Sequence, residues 1–542
     1  MQPTPLTRYA ALPTLTARLV LASLLAGAAM PAFALRFEFG DAGEWEVDWD
    51  TNITYGATWR VAEPDDAKFA FRDTGDPVAD GTRYSLLQNG DDGNNNFKKG
   101  SLVQNKVSFV SEADIRRDNY GLFLRARGYY DDVYDGNTQH NRGDFDSYNS
   151  GNAPAIGGTT DFREFPDETR DQHRDRAEML DYFVYYGGEL PGDRLFDVRI
   201  GSQVINWGEA TFTPGINGLQ SRADLIARNT PGVEVKEILL PSGALYGQLD
   251  LTLNMTLEAY YQYEWRKTEF NGVGSFFSDT DMIGPGAETL LVAINDSVAP
   301  FGVPKLTENR PKSHGQYGVA VHWVTENGTD IGAYFVNAHD KTPLPQANAV
   351  GGNPIPQTYS LLYQEDIRGY ALSFTTVWGI ANVQGEISLK QDAPMVDANN
   401  NVANGNLLSA QFGGSYVPEP GPFWDDANLT FEIAAAHVTD HDSADLRFDD
   451  HAVGINLRFE PAYINVRSGL DLKVPIFLAY GLDGVIREST LVKDATSFNI
   501  TFNFVYLNNF STKFGYTNFL DGGENHLITD RDNVFINFSY SF

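Results

Sequence analysis

Apolar and polar residues alternate with a period of two along segment after segment of this chain. In NMTLEAYYQYEW, residues 254–265, every odd position from 255 is apolar, while Glu258 and Gln262 lie between them. The same alternation runs through WEVDWDTNITYGATWRV (residues 45–61) and NVFINFSYSF (residues 533–542). Successive side chains of a β-strand point to opposite faces, so the pattern predicts strands with one apolar face and one polar face.

The length of these segments decides between a soluble sheet and a membrane sheet. Strands of soluble sandwiches usually have about 5–6 residues, whereas a tilted strand needs about ten to cross a bilayer. Tyr and Trp recur near the segment ends, as in the aromatic girdles of outer-membrane barrels. A sheet in lipid must close, because every backbone group has to be paired. The alternative is a large secreted sandwich or a solenoid, and a solenoid would show a fixed repeat that the sequence lacks.

We therefore predict an all-β fold, a closed antiparallel transmembrane β-barrel of eighteen strands, with sixteen as the next candidate number. Loops after odd-numbered strands are long, and those after even-numbered strands are mostly short, such as EADIRRDN, GGELPGD, TENGTD and EPAY. Short periplasmic turns and long extracellular loops are typical of outer-membrane barrels. The connection 417–426 fits this pattern least. The predicted strands are residues 45–62, 101–113, 119–133, 178–188, 194–206, 243–252, 254–265, 315–325, 329–338, 366–378, 380–391, 406–416, 427–439, 449–459, 463–474, 495–507, 509–520 and 533–542.

The first 34 residues read as a secretory leader. Arg8 and Arg18 form a positive region, an apolar core follows at Leu19–Met30, and Ala32 and Ala34 form an A-x-A cleavage site. This predicts a Sec-type signal peptide over residues 1–34, cleaved after Ala34, and a barrel over residues 35–542 in a Gram-negative outer membrane. A membrane anchor, the alternative, needs a longer apolar run.

Composition narrows the function classes. The formal net charge is −32, a surface that repels nucleic acid, so no nucleic-acid partner is expected. The absence of cysteine excludes disulfides and thiol chemistry. The nine histidines are scattered and no catalytic motif occurs, so the protein is not expected to be an enzyme. A surface enzyme or an adhesin that uses the long acidic loops is the remaining alternative.

Charged residues on the polar strand faces are the candidate selectivity residues of a lumen. A barrel of this size holds a water-filled channel unless its loops fold inward. Opposed basic and acidic stripes would orient polar solutes and set ion preference; the alternative is that they only solvate a polar interior. The inward positions are Arg125, Arg127, Arg199, Gln203, Glu258, Glu264, Glu386, Glu432, Arg458, Arg467, Asp471 and Lys473.

Residues 203–232 begin at a strand end and then lose the alternation. SRADLIAR within this segment has helical character, places Arg222, Asp224 and Arg228 near one another, and adds Arg222 and Arg228 to the candidate selectivity residues. The segment is predicted either to fold into the pore as a constriction or to be an ordinary extracellular loop with one helical turn.

Two further local patterns suggest a metal site and an assembly signal. NGDDGNNNF contains Asp91 and Asp92, oxygen ligands that suit Ca²⁺, although the spacing is not that of an EF-hand and such residues also form turns. The last strand, predicted to close the barrel against the first, ends in Phe538, Tyr540 and Phe542. This ending resembles the signal that the barrel assembly machinery reads, and Tyr540 is expected to face lipid.

Four stretches carry a resemblance to a known family. NGDDGNNNF with KGSLVQNKVSF, then RIGSQVINWGEATF, PGVEVKEILLP and GSFFSDTD, resemble in order the proteobacterial family known as domain of unknown function 1302. The family often has Arg where this chain has Ser202, which alternation places outward. The resemblance implies an outer-membrane barrel in envelope transport, and gene neighbourhoods that include a periplasmic or lipoprotein partner and an inner-membrane transporter. It names no substrate.

Two functions are therefore expected. The first is a porin-like channel that passes small organic solutes, anionic or hydrophobic, by diffusion through a charge-lined lumen. The second is a plugged barrel that serves as the outer-membrane component of a trans-envelope system for lipids or hydrophobic compounds. In both, outer-membrane lipid and lipopolysaccharide surround the barrel.

Overall fold

The structure is a computed structural model, and it describes residues 35–40, 44–65, 89–90, 92–139, 164–231, 233, 235–292, 301–306, 308–349, 356–486 and 491–542. The predicted leader and Asp91 lie outside these ranges. The leader and its cleavage site therefore stay predictions.

Eighteen strands form one closed antiparallel barrel, as the alternation and the loop lengths predicted. Each strand pairs with the next, and the last strand pairs with the first from Asn52 opposite Ser541 to Arg60 opposite Asn533. In chain order the strands are β1 (Trp45–Arg60), β2 (Leu102–Arg117), β3 (Tyr120–Asp131), β4 (Asp175–Leu190), β5 (Arg194–Gln203), β6 (Ser242–Thr252), β7 (Met255–Gln262), β8 (Gln316–Val324), β9 (Asp330–Ala338), β10 (Ile367–Trp378), β11 (Ala381–Val396), β12 (Val402–Tyr416), β13 (Asp426–His441), β14 (His451–Arg467), β15 (Leu470–Lys473 and Ile476–Ile486), β16 (Thr496–Tyr506), β17 (Phe510–Leu520) and β18 (Asn533–Ser541).

The outer surface carries an apolar belt, the surface that such a barrel presents to lipid. Side chains that are exposed in this belt include Val184, Ile200, Leu245, Leu372 and Ile387. Aromatic residues border it at both ends, as girdles do in outer-membrane barrels. At the end with short turns these are Tyr120, Tyr186, Trp323 and Trp378, and at the end with long loops they are Tyr130, Tyr261, Tyr317 and Tyr370.

A short strand that the sequence analysis missed lies before β1. Leu35–Phe39 pairs with the first residues of β1, from Leu35 opposite Trp49 to Phe39 opposite Trp45. It pairs with the same edge of β1 as β18 does, directly after the last residue of β18. There the Phe542 N–H donates to the Thr51 carbonyl (3.0 Å) and the Thr51 N–H donates to the Phe542 carbonyl (2.7 Å). The closing seam is thus extended beyond the end of the chain.

Two predicted turns are instead parts of strands. EADIRRDN is strand up to Arg117, and only Asp118 and Asn119 form the turn. The charged residues of this stretch suggested a turn. In the structure they continue the strand, since Asp114 and Arg116 point into the lumen while Ile115 between them points out.

The second error concerns EPAY, which lies inside β14. Proline is normally confined to edge strands and bulges, which favoured a turn at Pro461. In the structure Pro461 lies beside the break in β15, where Val474 donates its N–H to the Pro461 carbonyl (2.9 Å). Residues 476–486, predicted as a loop, complete β15 and keep the count at eighteen. Arg467 is consequently the last residue of β14, next to a turn.

The long loops contain short helices and small strands. No helix in the described ranges is long and apolar enough to cross a membrane. The helices are α1 (Asp92–Asn96), α2 (Asp167–His173), α3 (Leu225–Asn229) and α4 (Val235–Ile238), with 3₁₀ turns at Asp132–Asp135, Ile216–Leu219 and Gly523–Asn525. The small strand pairs are Arg222–Ala223 with Leu239–Leu240, Thr289–Val292 with Phe301–Pro304, and Leu344–Asn348 with Thr358–Leu362, and Leu491–Val492 pairs with the end of β15.

Candidate functional site: the lumen and its inward loop

The loop between β5 and β6, residues 204–241, folds into the lumen, and we call it the inward loop. Its first part packs against the inner faces of β6 to β10 in one buried apolar cluster. Trp207 stacks edge-on against Tyr260, with ring centroids 4.9 Å apart. The loop contributes Ile205, Trp207, Ile216 and Leu219 to this cluster. Of the two predictions for this segment, the structure supports the inward one.

Glu432 on β13 holds the tip of the inward loop, residues 209–216. Its carboxylate accepts the backbone N–H groups of Thr211, Phe212 and Thr213 at 2.7, 3.1 and 2.8 Å. Glu432 is 2% exposed, so these three N–H groups replace the water molecules that would hydrate its carboxylate in the unfolded chain. Hydrogen bonds to an ionised acceptor are about twice as strong as neutral ones.

Glu386 on β11 holds the same tip from the neighbouring wall. It accepts the N–H groups of Glu209 (3.0 Å) and Ile216 (2.7 Å). The loop backbone comes so close to Glu386 that two positions require glycine. A Cβ on Gly208 would lie 2.2 Å from one Glu386 carboxylate oxygen, and a Cβ on Gly215 would lie 2.1 Å from the other. Gly208 also has a positive φ of 90°, which glycine adopts without strain.

The second part of the inward loop is held on the opposite wall by a charge cluster. Asp224 caps helix α3 through the N–H groups of Ile226 and Ala227 and pairs with Arg127 of β3 at 2.7 Å. Arg127 also meets Glu178 of β4 at 2.7 Å. The charge cluster comprises Arg127, Arg176, Arg222, Glu178, Asp224 and Glu269.

Its three arginines balance its three carboxylates. Burial acts to raise the pKa of Glu269, but the hydrogen bond and charge of Arg176, with those of Arg222 and Arg127, outweigh burial and hold that pKa below its usual range. Glu269 therefore stays ionised, and the ion pairs of the cluster fix the loop to β3 and β4.

Two more contacts join the inward loop to the barrel wall. The Asn537 side chain of β18 donates to the Pro231 carbonyl. Arg125 pairs with Glu112 (2.8 Å) and Asp181 (3.1 Å) and donates to the Lys236 carbonyl (3.1 Å). The loop thus bridges the lumen from β6–β13 to β18 and β2–β4.

The arginines predicted to select solutes fall into two groups. Arg125, Arg127 and Arg222 are enclosed in ion pairs, with side chains 14%, 6% and 5% exposed. Arg228 is exposed on helix α3. Arg199 is half exposed, pairs with Asp197 at 2.6 Å and lies 5.2 Å from the Tyr246 ring.

The remaining predicted residues are also dispersed. Arg458 is half exposed beside Glu460, and Arg467 is exposed near its turn. Gln203 is buried and donates to the Ala244 carbonyl (3.0 Å). Glu258 accepts hydrogen bonds from the Trp207 indole (2.7 Å) and the Tyr246 hydroxyl (2.8 Å), so it holds the inward loop.

The lumen is filled towards the long loops and open towards the short turns. Along the inner face of β1, Asp50 is exposed and Thr54 is partly exposed, whereas Thr58 and Arg60 are 1% and 0% exposed. Arg60 pairs with Asp530 at 3.0 Å and donates to the Phe97 carbonyl at 2.7 Å. We call these two regions the filled half and the open half.

Asp92, one of the two predicted calcium residues, lies at the filled half. Asp92 begins helix α1, all five residues of which are buried. Within the part of the chain that the structure describes, no cluster of three or more His, Asp or Glu side chains has the geometry to hold a metal ion. Because Asp91 lies outside that part, calcium binding stays a prediction.

Ser202 and Tyr540 were predicted to face outward and are buried instead. Ser202 is 1% exposed and donates to the Leu180 carbonyl (3.0 Å). Gly201 before it has a φ of 143°, which interrupts the alternation on which the prediction rested. Tyr540 is 9% exposed and packs against Phe542, with ring centroids 5.8 Å apart.

A family model described as "Protein of unknown function (DUF1302)" matches residues 15–542. No functionally curated protein is similar in sequence to this chain.

Similar solved structures are outer-membrane proteins of low identity. OccK2 (OpdF) of Pseudomonas aeruginosa, solved with glucuronate, is 9% identical and has a TM-score of 0.40. OccAB2 of Acinetobacter baumannii is 11% identical, and a BenF-like porin of Pseudomonas fluorescens Pf-5 is 9% identical, each with a TM-score of 0.41. Each comparison covers 92% of this chain and 98% of the other. At these values no property of those proteins carries over to this chain.

Proposed function

Since the chain belongs to the DUF1302 family, whose function is unknown, we propose a function from the lumen itself: a narrow outer-membrane channel for small organic solutes. The inward loop forms its constriction. Solutes move down their gradient through the water that remains between this loop and the barrel wall.

The observation that carries this proposal is the attachment of one loop to opposite walls of the barrel. Five backbone N–H groups of the loop tip bind two buried glutamates on one side, and Asp224 pairs with Arg127 on the other. Such fixed contacts narrow a lumen reproducibly, which a mobile surface loop would not do.

The charges of the lumen argue against a general preference for anions. Arg125, Arg127 and Arg222, three of the arginines predicted to meet anionic groups, already pair with carboxylates. In the open half, Glu46 and Asp48 of β1 pair with Arg36 and Arg116, whereas Asp50 of the same strand is exposed. Rings of acidic side chains favour cations over anions, so ions should pass with a cation preference.

Planar-bilayer conductance of the purified, folded protein tests this function. We expect small, cation-preferring channels, and a severalfold larger conductance when residues 206–219 are replaced by a short Gly-Ser linker. A Gly-Ser replacement in the exposed turn 417–423, at the opposite end of the barrel, should leave the conductance unchanged. Absence of both conductance and solute flux from the parent protein and from the loop replacement would exclude the channel.

The filled half favours a second candidate, a plugged barrel in a trans-envelope system with a periplasmic or lipoprotein partner and an inner-membrane transporter. Aromatic clusters around Phe97 and Phe276 and around Tyr359 and Tyr363 pack inside the long-loop end. Reproducible co-purification with such a partner, together with zero conductance, would support this candidate. A barrel that purifies alone and conducts ions would reject it.

A further inference from the structure

A cavity separates β2 from two loop segments in the filled half. It lies between the inner face of β2, helix α3 of the inward loop and residues 271–277, and has about 440 Å³ of empty space, its open mouth included. Its apolar lining includes Val103, Ile226, Phe276 and Phe277. The geometry therefore offers an apolar compartment beside the constriction.

Lys106 supplies the cation of this cavity. Its Nζ lies 4.2 Å from the centroid of the Tyr129 ring. Among the described residues, the ammonium has no hydrogen bond and no carboxylate within 4.0 Å. A lysine enclosed in a protein normally has such a partner.

Asp131 is the carboxylate that also lines the cavity. Its Oδ1 accepts the N–H groups of Asn105 (2.9 Å) and Val133 (3.1 Å), so it caps the turn that follows β3. The charge of Asp131 attracts Lys106 from a distance, but Asp131 accepts no hydrogen bond from the Lys106 ammonium. The same charge would weaken the binding of an anion in the cavity.

Ser275 is the second sign of an absent ligand. The residue is 1% exposed, it lines the cavity, and its Oγ has no hydrogen-bond partner. A buried polar group without a partner destabilises the fold, so such groups are rare. Nothing in the segment itself satisfies this hydroxyl.

Gln104 and His173 add hydrogen-bond donors to the lining of the cavity. Gln104 uses its Oε1 to accept from Thr58 (3.0 Å), which leaves its amide N–H groups to donate. His173 accepts the Gly272 N–H at Nε2 (2.9 Å), and burial lowers its pKa to about 3, so the ring is neutral with its proton on Nδ1. An acceptor-rich ligand suits this set of groups.

We propose that this cavity binds a small carboxylate with an apolar body, held by Lys106 and Ser275 against Phe276 and Phe277. The cavity would bind a solute on its way through the proposed channel, so this role rests on the proposed function. An ammonium and a hydroxyl form charge-assisted hydrogen bonds with a carboxylate, and the phenylalanine rings cover the apolar body. Asp131 keeps the affinity modest, as passage requires, since a solute that binds tightly does not leave.

Neither residue stood out in the sequence. Lys106 lies in KGSLVQNKVSF and Ser275 in GSFFSDTD, two of the stretches that carry the family resemblance. The long interval between them hides the fact that the barrel brings them to one cavity.

A titration of butyrate into the folded protein in detergent, followed by saturation-transfer difference NMR, tests the site. Butyrate should bind with a Kd in the millimolar range, and its neutral isostere butyramide should bind at least about tenfold more weakly, because a charged hydrogen bond is lost. Lys106→Met should weaken butyrate by a similar factor, and Lys106→Arg should retain binding. Lys473→Met, at an exposed wall lysine of β15, is the matched control.

Ser275→Ala keeps the test decisive if Lys106→Met does not fold. It should weaken butyrate about fivefold and raise the melting temperature of the ligand-free protein, because the hydroxyl without a partner is removed. Equal binding of butyrate and butyramide, or unchanged butyrate binding in folded Lys106→Met or Ser275→Ala protein, would overturn the site. Butyrate binding without conductance would reject the channel and keep the site; conductance without butyrate binding would do the reverse.

Discussion

Arg127 and Arg458 both point into the lumen from barrel strands, yet they belong to different environments. Arg127, in the filled half, is 6% exposed and meets three carboxylates, two of them from loops. Arg458, in the open half, is 48% exposed beside a single glutamate of its own strand. Alternation therefore assigns a side chain to a face of the barrel, whereas the loops that fold into the lumen decide whether a charge on the inner face is paired and buried or solvated.

The largest effect should come from removing the buried charge. Arg127→Met leaves Glu178, Asp224 and Glu269 without a principal cation, and breaking a buried ion pair costs about 3–5 kcal/mol. Urea unfolding in detergent micelles should show this loss. Arg458→Met is the control, expected within about 0.5 kcal/mol of the parent. Equal losses for the two variants would remove the distinction between the halves.

Loss of one glutamate charge should be next in size. Glu432→Gln keeps an acceptor oxygen but loses the charge assistance of the hydrogen bonds to the loop tip, which is worth about 1 kcal/mol for each bond. We expect lower stability and a larger, noisier single-channel conductance as the tip moves. Glu460→Gln in the open half should change neither. A Glu432→Gln channel that is indistinguishable from the parent would contradict the role of this residue as a loop anchor.

Acidification should loosen the filled half through His173, with a smaller effect. The folded pKa of about 3 lies below the value of about 6.5 for an unfolded histidine, so unfolding takes up a proton between these values. The contribution of His173 is therefore complete above about pH 6.5, falls with pH and levels off below about pH 3.

Hydrogen exchange at Gly272, whose N–H donates to His173, reports this change. His173→Gln supplies a non-titrating acceptor and should lessen the pH dependence of protection in residues 271–277. If parent and variant respond identically to acid, the His173 ring does not control this segment.

The smallest effect on the folded channel is expected at the chain end. Removing Phe542 deletes two backbone hydrogen bonds with Thr51 and the ring packed against Tyr540. Channels that do form should conduct as before, whereas the amount of barrel assembled in the outer membrane should fall because the assembly signal is incomplete. Normal amounts of assembled barrel would refute the signal.

Sequence periodicity predicted the barrel because every strand obeys the same period-two rule whatever its partner. It failed where a local feature overrode the rule: the proline in EPAY, the charged end of β2 and the positive φ of Gly201. The inward loop was one of two options, since its position depends on Glu386 and Glu432, which lie more than 150 residues away. Lys106 and Ser275 were missed because nothing local relates them.

The inward loop crosses the lumen to the wall at β13 and β14. Thr213 at its tip accepts a hydrogen bond from the Asn456 side chain of β14 at 3.3 Å. The chain has no cysteine, so the pair Thr213→Cys and Asn456→Cys introduces the sole thiols. We predict that a short bis-methanethiosulfonate cross-linker joins residues 213 and 456 of the folded barrel nearly completely and leaves conductance unchanged. Two thiols that stay free, or a cross-link that alters the conductance, would contradict the position of the loop.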